Sequence, residues 1–151
     1  MAQAATNENL KLVQTFPIKG GDFASAGSVS IMVKKLLKGI GLPSQVLRRA
    51  AIAAFEAEMN VVMYGGEAGG EVRLYVSPTK IRVETQDHGP GIPNLELAMT
   101  EGWSTATHEM REMGFGAGMG LPNIKRNSDR LDIHTAIGGG TSVNVEIDIC
   151  N

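Results

Sequence analysis

The sequence predicts an α/β (α+β) two-layer sandwich: a mixed, largely antiparallel sheet with helices on one face. Three observations predict it. Five segments carry strand-like patterning, and four of them fall into two hairpins. The first strand is followed by two helical segments in succession, not by the alternating βαβα order of a doubly wound nucleotide fold. Glycine is abundant, 19 of 151 residues, about twice the usual share of ~7%. Five of these glycines precede Asn60 and fourteen follow it, and they punctuate well-patterned apolar segments where a disordered tail would show low-complexity polar sequence.

Leu10 to Ile18 (LKLVQTFPI) reads as the first strand, ended by Gly20 and Gly21. Asp22 or Ser25 is placed to cap a helix running to about Lys38, with Val29, Val33, Leu36 and Leu37 on its apolar face. Gly39 and Gly41 are expected to stop it. Pro43, tolerated in a first turn, opens a longer helix to Tyr64, rich in Ala, Leu, Arg, Glu and Met. Glycine pairs at 65–66 and 69–70 bracket a loop. Glu71–Ser77 and Lys80–Gln86 form a hairpin about Pro78-Thr79, the first of them alternating as a half-buried strand does. Asp87 to Gly120 is mostly loop, with a short helix at Leu95–Thr100. Leu121 to about Arg130 is helical, and Leu131–Ile137 and Thr141–Ile149 are strands joined by Gly138, Gly139 and Gly140. Residues 1–9 are polar and expected to be flexible; residues 10–149, without repeat or linker, are expected to form one domain.

Composition excludes several classes. Fourteen Lys and Arg against sixteen Asp and Glu leave a formal charge of −2, so a nucleic-acid partner is not expected. No apolar run approaches the ~18 residues of a bilayer span, so no membrane association is expected. The one cysteine, Cys150, cannot form an internal disulfide, and MAQAATNENLK lacks the order of a signal peptide. A cytoplasmic protein is expected. His88, His108 and His134 lack metal-ligand spacing.

Four motifs carry chemistry. Glu56 and Asn60 are four apart in the second helix and project from one face, whereas Glu58 points elsewhere. Alone, this is a solvated polar face; functionally, a carboxylate beside an amide oxygen can orient a nucleophile and ligate Mg²⁺. DHGPGI sets Asp87 at a strand end beside Gly89 and Gly91, either as a turn or as a flat shelf whose carboxylate reads an exocyclic amine such as that of adenine. GFGAGMGL, Gly114 to Leu121, exposes backbone N–H groups just before a helix, an arrangement that favours phosphate. It lacks the preceding strand of a dinucleotide fingerprint. GGGTSV reads first as a hairpin turn, with Thr141 placed to offer its hydroxyl.

In combination the order is ExxxN, DxGxG, GxGxGL before a helix, and GGGT before a last strand. This resembles the GHKL ATPase superfamily, with its Bergerat ATP-binding fold. Within it, the chain resembles the anti-sigma-factor serine/threonine kinases of bacterial partner-switching systems over residues 10–149. The resemblance implies ATP and Mg²⁺ as cofactors. It implies that Glu56 activates the attacking hydroxyl, that Asn60 ligates Mg²⁺, and that Tyr64 lines the nucleotide site. Asp87 would accept the adenine amino group, with Gly89 and Gly91 beneath the base. Gly116, Gly118 and Gly120 would bind phosphate, and Thr141 would follow the last glycine turn. The implied substrate is a Ser or Thr of a small antagonist protein of the anti-anti-sigma type. A sigma factor or a downstream activator is an implied further partner, and a homodimer is compatible with the resemblance. The alternative implied function is an ATP-gated protein-binding module without significant phosphoryl transfer.

Two departures stand out. ATHEMREM, Ala106 to Met113, makes a longer ATP lid than in the compact stress-pathway kinases, and Gly116 stands where some sigma-sequestering kinases carry Arg. Arg111 is the nearest spare cation in the sequence. Arg48 and Arg49 read as a solvated helix face, and Trp103 as a lid or surface anchor.

Overall fold

The computed structural model describes residues 10–100 and 120–149. In order these form β1 (Lys11–Ile18), α1 (Ser28–Ile40), α2 (Ser44–Tyr64), β2 (Gly70–Val76), β3 (Lys80–Asp87), α3 (Leu95–Ala98), α4 (Gly120–Arg126), β4 (Arg130–Ala136) and β5 (Gly140–Asp148). The sheet order is β1-β2-β3-β5-β4. The expectation of a mixed sheet is corrected: every pairing of the described strands is antiparallel. The reason lies in the two helices between β1 and β2. They run out and back, returning the chain to the sheet end it left, so that Ile18 at the end of β1 pairs with Gly70 at the start of β2.

The core lies between α2 and the inward face of the sheet. On α2, Ala50, Ala53, Ala54, Ala57 and Val61 are buried. Alanine gives this face no bulk, so the helix lies close over Val72, Leu74, Ile81, Val83, Val143, Val145 and Ile147, all buried. Strand alternation then carries polar residues onto the same face. Ile81, Val83 and Thr85 are followed inward by Asp87, and Ile147, Val145 and Val143 lead back inward to Thr141.

The opposite sheet face is a lattice of charge. Arg73 bonds Glu71 and lies 3.2 Å from Glu84, Arg82 lies 3.3 Å from Glu84, and Glu146 receives Arg82, Lys80 at 3.5 Å and Arg130 at 2.7 Å. Among the described residues, no helix is long and apolar enough to cross a membrane.

Three boundaries differ from expectation, each for a local reason. The first helix starts at Ser28, because Asp22 Oδ1 accepts from Ser25 N–H at 3.3 Å in a turn and Gly27 takes φ 100°. That helix passes through Gly39 and ends at Gly41, whose N–H reaches Lys38 O at 3.0 Å. The last helix stops at Arg126, four residues early. Asp129 pins the chain to β5 by donating its N–H to Glu146 O at 2.8 Å and accepting Asp148 N–H on Oδ2 at 2.7 Å, so that β4 begins at Arg130.

Glu58 is buried, 2% exposed, with Oε2 accepting Gly27 N–H at 3.1 Å. The N-terminus of α1 has no side-chain cap of its own and no acid in its first turn. A carboxylate from α2 takes that place, offsetting part of the cost of its burial through charge-assisted bonds. Burial pushes the Glu58 carboxyl above its usual range, against the backbone donors of Gly27, Val29 and Ser30. Arg49 corrects a second expectation: it is half-buried and pairs with Asp129 at 3.2 Å, while its neighbour Arg48 is exposed.

Candidate functional site

Two clusters lie along α2, at its middle and at its C-terminal end. In the first, Glu56 and Asn60 share one helix face as their spacing requires. Glu56 Oε2 accepts the Asn123 Nδ2 amide of α4 at 2.8 Å. Burial raises the Glu56 carboxyl above its ordinary value, and the bond from Asn123 opposes that rise. Gly120, the first described residue of α4, lies directly over the pair. A β-carbon added there would stand 3.3 Å from Asn60 Oδ1 and 3.8 Å from Glu56 Oε1. Glycine at 120 lets the start of α4 approach both oxygens without a side chain of its own between them.

The second cluster is at the end of β3. Asp87 is 8% exposed, and its Oδ1 accepts Gly89 N–H at 3.0 Å and Thr141 N–H at 3.1 Å. Both bonds fall on one oxygen, and neither uses Oδ2. The surroundings are backbone. A β-carbon at Gly89 would lie 2.2 Å from Tyr64 O, and one at Gly91 would lie 2.2 Å from Ala136 O. Tyr64, half-buried at the last position of α2, thus supports the DHGPGI loop through its carbonyl. Thr141, 7% exposed, pairs its hydroxyl with that of Thr135 at 2.9 Å, and Thr135 Oγ1 also accepts Ile92 N–H at 2.8 Å.

The structure therefore gathers Asp87, Gly89, Gly91, Thr141 and the Tyr64 backbone at one end, and Glu56, Asn60 and Gly120 at the other. Eight residues of α2 separate Glu56 from Tyr64, about 12 Å along the helix axis. Gly116, Gly118, Arg111, Trp103 and the segment Ala106 to Met113 lie outside the described residues, as do residues 1–9. Sequence reasoning assigns no partner or role to Asn123, Thr135 or Glu58. For Asn123 a signal existed: a polar side chain in a short helix between the buried Leu121 and Ile124. For Thr135 it was the inward row with Leu131 and Ile133.

The donor set suits a magnesium nucleotide. Asn60 Oδ1 and the Glu56 carboxylate both lie under the start of α4, oxygen donors of the kind Mg²⁺ takes. Among the described residues Asp87 Oδ2 has no partner, and the floor beside it tolerates no side chain, which fits a flat base bearing an amine.

Comparison with known proteins supplies the family. The family of histidine kinase-, DNA gyrase B-, and HSP90-like ATPases matches residues 41–150. The serine/threonine-protein kinase RsbT of Bacillus subtilis is 27% identical over 112 residues, 73% of this chain and 78% of its own. An anti-sigma F factor of Thermoanaerobacter pseudethanolicus is 32% identical over 94 residues, 60% of this chain; the chain spans 62% of that relative. The RsbU and RsbW domains of Rv1364c from Mycobacterium tuberculosis superpose with a TM-score of 0.60 at 14% identity, over 88% of this chain and 31% of that one. The mycobacterial sensor histidine kinase MprB gives 0.50 at 23% identity, over 68% and 71%. These two likenesses concern the fold. With the family match covering most of its length, the chain belongs to the histidine kinase-, DNA gyrase B-, and HSP90-like ATPases, the GHKL superfamily that its motifs resemble.

Proposed function

We propose that this protein is an ATP-dependent serine/threonine protein kinase that phosphorylates a small antagonist protein in a bacterial partner-switching system. One observation carries the reading: a half-buried carboxylate and an amide oxygen lie beneath a glycine at a helix start, on the same helix whose far end supports a backbone-held aspartate. Asp87 would accept the adenine amine on Oδ2, Gly89 and Gly91 would floor the base, and Thr141 would border it. Asn60 would ligate Mg²⁺, and Gly116, Gly118 and Gly120 would serve the phosphates. Bound Mg–ATP supplies the phosphoryl group and part of the charge neutralisation that in-line transfer needs. Glu56 would orient the hydroxyl of a Ser or Thr and accept its proton as that oxygen bonds to the γ-phosphorus, the bond from that phosphorus to the β–γ bridging oxygen breaks, and ADP leaves. The name of the serine/threonine-protein kinase RsbT supports a Ser or Thr acceptor, and that of the anti-sigma F factor supports a sigma factor as a further partner.

Gly116, standing where some related kinases have Arg, favours a second reading: an ATP-gated binding module with no useful transfer. Radiolabelled ATP with a candidate antagonist separates the two. Transfer that Glu56→Ala abolishes, with ATP still bound, supports the kinase. Binding without transfer to any antagonist tested overturns it in favour of the module.

A further inference from the structure

Asn123 is the one described side chain that the structure places on the Glu56 carboxylate, and no motif contains it. It stands 67 residues away in sequence, on the opposite helix. Its two polar atoms are both engaged. Nδ2 donates to Glu56 Oε2 at 2.8 Å, and Oδ1 accepts from Arg126 Nη2 at 2.7 Å. Guanidinium has only donors and a carboxylate only acceptors. An asparagine between the two has one permitted orientation, because turning the amide over would set oxygen against oxygen and N–H against N–H. The backbone is pinned as well. Asn123 O accepts Asn127 Nδ2 at 2.8 Å and Asn127 N–H at 3.2 Å, closing the end of α4. Leu121 and Ile124, either side of it in sequence, are buried and anchor the helix.

We infer that Asn123 is a positioning residue for Glu56, and that Arg126 fixes the direction of the Asn123 amide. The inference rests on the kinase reading for its purpose, while the contacts are independent of it. The bond to Oε2 restricts carboxylate rotation and commits one oxygen. Oε1, the oxygen nearer Gly120, is the one left for a substrate hydroxyl. Without Asn123 the two oxygens exchange freely, and a reacting geometry held to about 0.5 Å is lost.

The test has a spectroscopic arm and a kinetic arm. In ¹⁵N-labelled protein the Asn123 side-chain amide resonances are assigned by their loss in Asn123→Leu. They are expected to lie downfield of a solvated asparagine and to return upfield in Glu56→Ala. Resonances that ignore Glu56→Ala overturn the contact. Kinetically, Asn123→Leu is expected to lower kcat for phosphate loss from Mg–ATP, to the antagonist or to water, about tenfold, with KM for ATP unchanged. Asn123→Gln should recover part of the loss, and Arg126→Ala should cost about threefold. An unchanged kcat in Asn123→Leu, or a loss that appears in KM for ATP instead of kcat, overturns the positioning role. If the wild type binds ATP with the resonances in place yet loses no phosphate to any acceptor, the kinase reading falls and takes the catalytic purpose of the contact with it.

Discussion

Asp87 closes β3 at one end of the sheet, facing the core, while Glu146 lies on β5 toward the opposite end, facing outward. Burial alone would raise the Glu146 carboxyl. Hydrogen bonds from Arg130 and Arg82, with the charges of Arg82 and Lys80, hold it instead at about 2. Its charge is consumed by cations that the protein supplies. Asp87 receives two backbone N–H bonds on one oxygen and, among the described residues, no ion pair. Backbone donors fix a carboxylate in place without cancelling its charge. A fully paired carboxylate builds structure, and one held by amides with an oxygen to spare is equipped to bind.

The most damaging test of this contrast is Gly140→Ala. Gly140 has φ 79°, and a β-carbon there would stand 2.2 Å from Asp87 O, a backbone atom that cannot step aside. Strain and displacement together should cost about 3 kcal/mol in denaturant unfolding. Calorimetric ATP affinity should fall with it, since the same shift drags Asp87 from Thr141 N–H. A variant of wild-type stability would show that the Asp87 end is more yielding than its backbone packing indicates.

Asp87→Asn separates charge from scaffold. An Asn Oδ1 still accepts from Gly89 and Thr141, so the melting temperature should change little. The remaining position now carries an NH₂ in place of the lone pairs offered to adenine. A hydrogen bond to a charged group contributes about 1.5–3 kcal/mol, which corresponds to roughly 10–100-fold weaker ATP binding. Discrimination against GTP should relax as well. Unaltered affinity would remove Asp87 from the base site.

Glu146→Gln probes the other end. The lost pairs lie between exposed and buried cases, so about 1–2 kcal/mol of stability is expected to go at pH 7, with ATP affinity unaffected. The pH dependence has a definite sign. The folded carboxyl titrates at about 2, below its ordinary value of 4.5. Its contribution is therefore complete above 4.5 and is lost as pH falls toward 2. Denaturant unfolding of wild type and variant should converge across that window. A gap that persists at pH 2 would mean that packing, not charge, is what Glu146 provides.

The same contrast explains what was legible in the sequence. Alternation along Glu71–Ser77 and the i, i+4 spacing of Glu56 and Asn60 state which face a residue occupies, and the structure agrees on both. The glycines of DHGPGI and GGGT mark places where backbones meet, and their clashes with Tyr64, Ala136 and Asp87 carbonyls give the reason. Spacing says nothing about what stands opposite. Spacing turns Glu58 away from Glu56 and no more, although its partner Gly27 lies 31 residues earlier; Asn123 lies 67 residues from Glu56. Such contacts depend on how helices pack, and no local pattern encodes that. Gly39 misled because an isolated glycine costs a helix only about 1 kcal/mol, which the buried Leu37 and Val33 of the same helix offset.

The smallest expected effect comes from adjacent arginines that a sequence cannot tell apart. Arg49 bonds Asp129 through both terminal nitrogens, at 3.2 and 3.3 Å, and Asp129 in turn holds Asp148 N–H. The pair joins α2 to the turn before β4, but its side chains are 24% and 33% exposed, so solvent screens it. Arg49→Ala should cost about 0.5 kcal/mol at low salt and less at high salt. Arg48→Ala, at an exposed position beside it, should cost nothing measurable. Neither should alter ATP affinity, because Asp129 belongs to the paired class of carboxylate. A loss of ATP binding in Arg49→Ala alone would show that the α4–β4 turn transmits to Gly120 and Asn123 at the other end of α4, and the division between structural and binding carboxylates would have to be redrawn.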